Sequence, residues 1–316
     1  MVTLYCIAEL KKPAHVGFGT GKQIRDFRRK PVIPSLTLTT QISALTLRLA
    51  KAVNRPAPLV KASDGFVMDN AKIVSVRGQE FFTGKISFTV QVQEKDLDLV
   101  LGALKLLQNF GIGANTSMGF GYCSIRVVRT SKGKPETLIQ EFNPKAADLA
   151  GREPFKQPNV LVRFAQTIFN KLKVNWSSWF RAFNPSPFQK LVFLMGETEI
   201  QNPFAYRGWL RSRLLEKLPF EHKDNLTVCP PKANPCKVCR LMGRMAEKSR
   251  LIVRIFPKKG EGKSIVYVLV DNPTEEELKA LQEVAGLKVV HEEGVGEFLP
   301  IKDGKNLREK VERKNL

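Results

Sequence analysis

The sequence predicts an α+β protein of two domains, and three observations support this prediction. The chain has 316 residues, which is more than a single domain usually contains. Hydrophobic residues make up 43% of it, which is enough for packed cores. Strand-like and helix-like segments follow one another in a similar order in both halves of the chain. We therefore expect domains at residues 1–130 and 188–316, joined by a linker and docking segment at residues 131–187.

The first half is expected to fold in the order strand, helix, strand, strand, helix, strand. VTLYCIAEL alternates apolar and polar residues, as a half-buried strand does. The next helix carries one apolar stripe, formed by Leu38, Ile42, Leu45 and Leu49. Two strands around a glycine, the helix DLDLVLGALKLLQNF and the strand YCSIRVVR complete this half. The order is typical of a ferredoxin-like (RRM-like) domain.

The second half follows much of this order without a close sequence repeat. The strand KLVFLMG and the helix PFAYRGWLRSRLLEKL come first, and a cysteine-rich loop follows them. The strands SRLIVRIF and KSIVYVLVDN, the helix TEEELKALQEVAG and a short ending complete the chain. We therefore expect a second ferredoxin-like domain with a cysteine-rich insertion.

The insertion contains four potential zinc ligands. His222, Cys229, Cys236 and Cys239 have the spacing H-x6-C-x6-C-x2-C. Zinc prefers four nitrogen or sulfur ligands in a tetrahedron, and a C-x2-C pair supplies two of them from one turn. Four protein ligands would make a structural zinc site with no position for a reactive water. The alternative is a set of solvent-facing reduced thiols, because five cysteines form no disulfide framework and suit a reducing cytoplasm.

The net charge of +21 is the strongest global feature and results from 51 basic and 30 acidic residues. Such an excess is self-repulsive in the folded state and is usually kept for a polyanionic partner. Nucleic acid is the expected partner, with an anionic membrane surface or simple solubility as the alternatives. No run of about 18 apolar residues predicts a membrane span, and the first residues lack a secretion signal. We therefore expect a cytoplasmic protein with no membrane partner.

Residues 109–125, NFGIGANTSMGFGYCSI, form a glycine-rich loop between a predicted helix and a predicted strand. Glycine lets the backbone approach a partner closely, and the N–H groups of such a loop can surround phosphates. The loop lacks the Lys-Ser/Thr pair of a Walker loop, and it does not open a helix as a dinucleotide fingerprint does. The alternative is a tight turn needed for packing. The residues expected to contact RNA are Gly111, Gly113, Asn115, Thr116, Ser117, Gly119 and Gly121.

Basic residues in two further segments are candidates for RNA contact. In the segment HVGFGTGKQIRDFRRKP they are Lys22, Arg25, Arg28, Arg29 and Lys30. On the predicted helix of the second half they are Arg207, Arg211 and Arg213. The first two of these share a helix face. Arg213 lies four residues after Trp209, so a stacking ring with a cation beside it is possible there. The alternative is an ordinary solvated helix face.

The segments PVIPSLTLTTQISALTLRLA, FFTGKISFTV and GIGANTSMGFGYCSI, in this order, resemble the RAMP superfamily of CRISPR-associated proteins. RGWLRSRLL, CKVCRLMG and SRLIVRIF resemble a second module of that superfamily, of the kind found in effector backbone subunits. The resemblance covers most of residues 1–129 and 188–270. It implies ferredoxin-like domains that bind crRNA, the repeat-derived guide RNA. The protein would then be one subunit of an RNA-guided antiviral complex with other CRISPR effector subunits.

The superfamily also includes endoribonucleases that cut precursor crRNA, which gives an alternative function. Metal-independent cleavage needs a general base for the 2′-OH, and His15 is the one histidine beside a basic glycine loop. Asp26 in that loop resembles the loop aspartate with which some backbone subunits cut target RNA. A general RNA-binding protein with no CRISPR role is the second alternative.

Overall fold

A computed structural model of the protein describes residues 1–17, 22–26, 28–68, 71–76, 78–131, 134–139, 185–218, 228–229, 234–243, 249–257 and 262–299. The chain divides into two compact units. The first contains the described residues of Met1–Ala114, Phe120–Pro187 and Phe298–Leu316, and the second contains those of Asn115–Gly119 and Phe188–Glu297. No helix within the described ranges is both long and apolar enough to span a membrane.

The first unit is built on one large antiparallel sheet. Its elements are β1 (Val2–Leu10), β2 (Val32–Ile33), α1 (Ser35–Ala52), β3 (Lys61–Ala62), β4 (Gly65–Val67), β5 (Ile73–Val76), β6 (Gln79–Phe82), β7 (Lys85–Val92), α2 (Leu97–Phe110), β8 (Cys123–Ser131) and β9 (Lys134–Ile139). The sheet order is β2-β4-β7-β1-β8-β9, with β3 also paired to β7, while β5 and β6 form a separate two-stranded ribbon.

The two helices of the first unit pack against each other. The predicted stripe of α1 is confirmed, since Leu38, Ile42, Leu45 and Leu49 are all buried. On α2 almost every apolar side chain is buried, which explains why this helix is more hydrophobic than α1. Burial of such side chains stabilises the unit by about 1.5–3 kcal/mol per large residue.

The second unit is a four-stranded antiparallel sheet with its core on one face. Its elements are β10 (Lys190–Thr198), α3 (Pro203–Lys217), α4 (Lys237–Met242), β11 (Leu251–Pro257), β12 (Ser264–Asp271), α5 (Glu275–Ala285), β13 (Lys288–Gly294) and the four-residue helix α6 (Val295–Phe298). The sheet order is β11-β12-β10-β13. One apolar cluster joins alternate residues of β10, β11 and β12 to residues of α3, α4 and α5.

Local sequence signals fix the helix starts in this unit. The side chain of Asn202 accepts hydrogen bonds from the N–H groups of Phe204 and Ala205, and Pro203 occupies the first helical position of α3. At α5, Thr274 and Glu277 form a capping box in which each side chain accepts from the other residue's backbone N–H. These caps satisfy N–H groups that a helix cannot bond internally.

The α+β class predicted from the sequence is confirmed, and the two units share one strand arrangement. In the first unit the central strands have the order β8-β1-β7-β4, and in the second unit the order is β13-β10-β12-β11. Each series reads fourth, first, third and second strand along the chain, when β2, β3, β5, β6 and β9 are set aside.

Two strands depart from the expected organisation. The end of the second half, for which no strand was expected, contains β13. Its sequence KVVHEEG lies exposed at a sheet edge, so it lacks the apolar alternation that predicts a strand. The segment expected to be a linker begins with β9, which pairs with β8. The part of the expected linker and docking segment at residues 140–184, which includes Trp176 and Trp179, and the expected metal ligand His222 lie outside the described residues.

Candidate nucleic-acid interface and metal cluster

Residues 22–26 and 28–30 of the first unit belong to a closed basic turn, with Arg25 and Pro31 paired at its base. The carboxylate Oδ1 of Asp26 accepts hydrogen bonds from the backbone N–H groups of Arg28 and Lys30, both at 2.8 Å. The N–H of Asp26 donates to the carbonyl of Lys30 at 2.8 Å, and Arg29 adopts a left-handed backbone with φ +59°. The turn therefore exposes three consecutive cations on a fixed backbone.

Glu80 on β6 anchors this basic turn to the sheet ribbon. Its Oε2 accepts from the backbone N–H of Gln23 at 3.1 Å and from Nη2 of Arg25 at 2.8 Å. The Gln23 N–H and then the Arg25 guanidinium hold the pKa of Glu80 below its ordinary value. The charge of Arg25 is therefore matched by Glu80. Sequence reasoning missed Glu80 because 55 residues separate it from Arg25, and no local pattern links them.

His15 is a buried residue with only 5% of its surface exposed. Its Nδ1 lies 2.6 Å from the carbonyl oxygen of Glu80, and its ring centroid lies 5.4 Å from that of Phe81. A catalytic base must reach the RNA, and burial of the ring opposes this. The carboxylate of Asp26 is used to close the basic turn. The structure therefore gives both residues structural contacts and offers no support for their expected catalytic roles.

The glycine-rich loop follows α2 and is held by the protein's own backbone. Gly111, Gly113, Gly119 and Gly121 have φ values of +82°, +94°, +79° and +71°, a region that side chains rarely adopt. The N–H of Ile112 donates to the carbonyl of Gly121 at 2.9 Å, and the N–H of Gly121 donates to the carbonyl of Pro13 at 2.8 Å. The loop is therefore a compact turn rather than an open one.

Close packing explains why side chains are missing in this loop. A Cβ at Gly113 would lie 2.5 Å from the carbonyl oxygen of His15, and one at Gly111 would lie 2.7 Å from that of Phe120. Within the second unit, a Cβ at Gly119 would lie 2.6 Å from the carbonyl oxygen of Val253. The bare backbone is thus in contact with protein, which favours the packing alternative for the glycines. RNA contact by the half-exposed Asn115, Thr116 and Ser117 stays a prediction.

The arginines of α3 differ in their surroundings. Arg207 is 8% exposed, and its guanidinium donates to the carbonyls of Leu251 and Met242 and to Oγ of Ser249. Burial, together with repulsion from Arg211, lowers the pKa of Arg207 to about 10. We therefore leave Arg207 out of the proposed RNA surface, because its guanidinium is buried and donates to carbonyl and hydroxyl oxygens of this protein.

Arg211 and Arg213 lie closer to the surface than Arg207. Arg211 donates through Nη2 to the carbonyl of Gly243 at 2.6 Å, and its Nη1 lies 3.5 Å from Sγ of Cys239. Arg213 is exposed and pairs with Glu216 at 3.2 Å, one helical turn away. An exposed pair of this kind contributes only about 0–1 kcal/mol, so Arg213 stays available to a stronger anionic partner.

The thiols of Cys229, Cys236 and Cys239 form a cluster in which the three Sγ atoms lie within 4.8 Å of one another. Each sulfur accepts a backbone N–H bond from another member of the set, at 3.3 to 3.4 Å. Cys236 caps the short helix α4, which places Cys239 one turn later. These three residues could hold a metal ion.

The pKa of one thiol in the cluster, that of Cys239, suits metal binding. Burial raises the pKa of Cys239, but hydrogen bonds from the Cys229 N–H, from neighbouring thiols and from Arg211 outweigh it and lower the pKa to about 7. Burial raises the pKa of Cys236 to about 11. One thiol is thus ready to ionise at neutral pH, and thiolate is the form that binds metal.

The likenesses to two solved structures are weak. No protein-family model matches the sequence, and no curated protein matches it. A chain of the type III-B Cmr-beta complex bound to cognate target RNA aligns at 12% identity and a TM-score of 0.31, over 43% of this chain and 60% of that chain. A chain of the Csm3–Csm4 subcomplex of the type III-A CRISPR–Cas interference complex aligns at 20% identity and a TM-score of 0.26, over 43% of this chain and 80% of that chain. At these TM-scores the alignments carry no argument about function.

Proposed function

We propose that this protein binds RNA as a crRNA-binding subunit of a CRISPR effector complex, as the RAMP resemblance implies. The observation that carries the proposal is the basic turn. Arg28, Arg29 and Lys30 extend into solvent from a backbone that Asp26 fixes, in a chain with a net charge of +21. A fixed backbone reduces the conformational freedom that the segment loses on contact with phosphates, and phosphate contacts supply most non-specific RNA affinity.

The shared strand arrangement supports a second part of the proposal, that both units are ferredoxin-like modules. Each combines four central antiparallel strands in the same order with two main helices, α1 and α2 or α3 and α5. The pattern strand-helix-strand-strand-helix-strand defines this class of domain. In this proposal the partners are crRNA and other effector subunits, and the protein acts in the cytoplasm.

The proposal assigns binding rather than cleavage to this chain. The burial of His15 and the two backbone hydrogen bonds to Oδ1 of Asp26 support binding over the endoribonuclease alternative. Incubation of the pure protein with repeat RNA in EDTA, followed by a gel, tests this directly. Intact RNA supports the binding role, and discrete cleavage products would contradict it.

The decisive test measures affinity for single-stranded repeat RNA as a function of salt. Each phosphate contact on single-stranded RNA contributes about 0.7 to the slope of log affinity against log salt. Replacing Arg28, Arg29 and Lys30 with Gln should therefore reduce the slope by about 2 if all three cations contact phosphate. An unchanged slope and affinity would show that the basic turn is not an RNA contact.

The matched control removes the same charge elsewhere. Lys61, Lys95 and Lys279 are exposed cations outside the basic turn and outside the glycine-rich loop. Their replacement with Gln lowers the net charge by the same three units. The proposal expects a clearly smaller change in slope for this control than for the basic-turn variant. Equal changes would indicate a diffuse effect of net charge.

We also propose that the cysteine cluster binds a structural zinc ion. Three cysteine sulfur atoms within 4.8 Å of one another match the sulfur ligands that zinc prefers. His222 is the proposed fourth ligand on the basis of sequence spacing. A site with four protein ligands would fasten α4 to the preceding segment that carries Cys229 and would supply folding free energy rather than catalysis.

A further inference from the structure

The sheet of the second unit has a face that does not contribute to its apolar core. Val192 and Leu194 of β10 belong to the core cluster, whereas Phe193 and Met195 alternate with them and face the other side. On β11 and β12 the same alternation sends Phe256 and Tyr267 to this second side. We call Phe193, Phe256 and Tyr267 the aromatic face.

Strand register brings the rings of the aromatic face close together. Met195 pairs with Tyr267, and Phe193 pairs with Leu269, so Phe193 and Tyr267 are diagonal neighbours on the two central strands. Diagonal positions lie about 7–8 Å apart. The rings of Phe256 and Tyr267 meet edge to face, with centroids 5.6 Å apart at 85°. All three aromatic side chains are half-buried, and Met195 beside them is 38% exposed.

Partly exposed rings on adjacent central strands are well suited to nucleobases. In one class of RNA-binding module, aromatic residues of a four-stranded sheet stack two or three bases of single-stranded RNA. In this unit Phe193 and Tyr267 lie on β10 and β12, the two central strands of a four-stranded sheet. We propose that Phe193 and Tyr267 stack unpaired bases of the bound RNA, with Phe256 supporting the Tyr267 ring. This inference rests on the proposed function, and it adds a second contact region with a different chemistry.

The charges around the aromatic face favour bases over phosphates. The exposed Lys288 pairs in register with Met195 on one side of the rings, and Arg254, which is buried, pairs with Tyr267 on the other. Glu197 and Glu293 lie on the same face towards its ends. One exposed cation beside two carboxylates gives no net attraction for a run of phosphates. Binding here must therefore depend on ring stacking, which every base can provide and which salt screens little.

The test compares Tyr267→Leu with Tyr267→Phe, using single-stranded repeat RNA. Leucine keeps apolar bulk but removes the ring, whereas phenylalanine keeps the ring. We expect Tyr267→Leu to lose about 5- to 150-fold in affinity, the range measured for one stacked base, with an unchanged salt slope. Tyr267→Phe should bind within about twofold of the wild type. Melting temperatures of both variants identify any loss of folding.

An abasic oligonucleotide of the same length tests the inference without any substitution. The wild type should bind it more weakly than the intact RNA by at least the factor lost in Tyr267→Leu, with an unchanged salt slope. Equal affinity for abasic and intact RNA overturns the inference, as it would if a protein rather than RNA covers this face. Failure of the wild type to bind intact RNA at about 50 mM salt refutes the proposed function instead, so the two failures are distinguishable.

Discussion

Replacing Gly119 with alanine is the sharpest test of why the glycine-rich loop has so few side chains. The change adds one methyl group at a residue whose φ is +79°. In the second unit that methyl carbon would lie 2.6 Å from the carbonyl oxygen of Val253 and 2.8 Å from Cγ of Arg254. Neither atom can move away easily, because the carbonyl belongs to a strand and the Arg254 side chain is 6% exposed.

Two penalties determine the expected size of the effect. A left-handed backbone costs a residue with a Cβ about 1–2 kcal/mol. Forcing an extra carbon into a packed site costs about 1–3 kcal/mol more. The free energy of unfolding of the second unit should therefore fall by about 2–5 kcal/mol. For a unit of this size that corresponds to a melting temperature lower by roughly 8–20 °C.

Gly208→Ala is the matched control, because it is the same substitution at another glycine of the same unit. Gly208 lies on the exposed side of α3, and nothing lies within 4 Å of the position its Cβ would take. Alanine is favoured over glycine in a helix by about 1 kcal/mol. The control should therefore melt at the same temperature as the wild type or up to a few degrees higher.

Calorimetry and RNA affinity measured on the same samples decide the outcome. We expect Gly119→Ala to lower the melting temperature while its folded fraction binds RNA within about twofold of the wild type. A melting temperature within about 2 °C of the wild type, with RNA affinity reduced more than tenfold, would refute the packing argument. Such a result would restore the explanation that RNA backbone lies against this glycine.

Three further predictions concern the cysteine cluster, the buried arginine and the anchor of the basic turn. Cys236→Ser should reduce zinc in protein purified without added metal from about one ion per chain to nearly none, and should lower the melting temperature; metal-free wild type with an unchanged melting temperature would contradict this. Arg207→Met should cost about 2–4 kcal/mol in urea unfolding because buried carbonyls lose their donor, whereas Arg213→Met should stay within about 0.5 kcal/mol; equal effects would argue against the buried contacts. The pKa of Glu80 is lowered in the fold, so its stabilisation is present above its ordinary pKa of 4.5 and is lost as pH falls through the lower folded value. Wild type should therefore lose its stability advantage over Glu80→Gln as the pH is lowered below 4.5, and a constant difference in urea midpoint across that range would contradict the contact.

The sequence alone determined the features that depend on neighbouring residues. The apolar stripe of α1, the alternation of β1 and the Pro203 start of α3 follow from local periodicity and capping, and the structure has each of them. The spacing of Cys236 and Cys239 also placed two thiols one helical turn apart. The charge of +21, which the partner prediction depends on, is a property of composition alone.

The tertiary structure decided what long-range neighbours control. Strands of two or three residues, such as β2 and β3, are too short to carry a periodic signal. Arg207 and Arg213 look alike in the sequence, yet one donates to buried carbonyls and the other lies in solvent. Likewise, residue 119 lacks a side chain because a Cβ there would clash with the carbonyl oxygen of Val253, a residue far along the chain. A glycine signals close approach, but only the fold identifies the atom that approaches it.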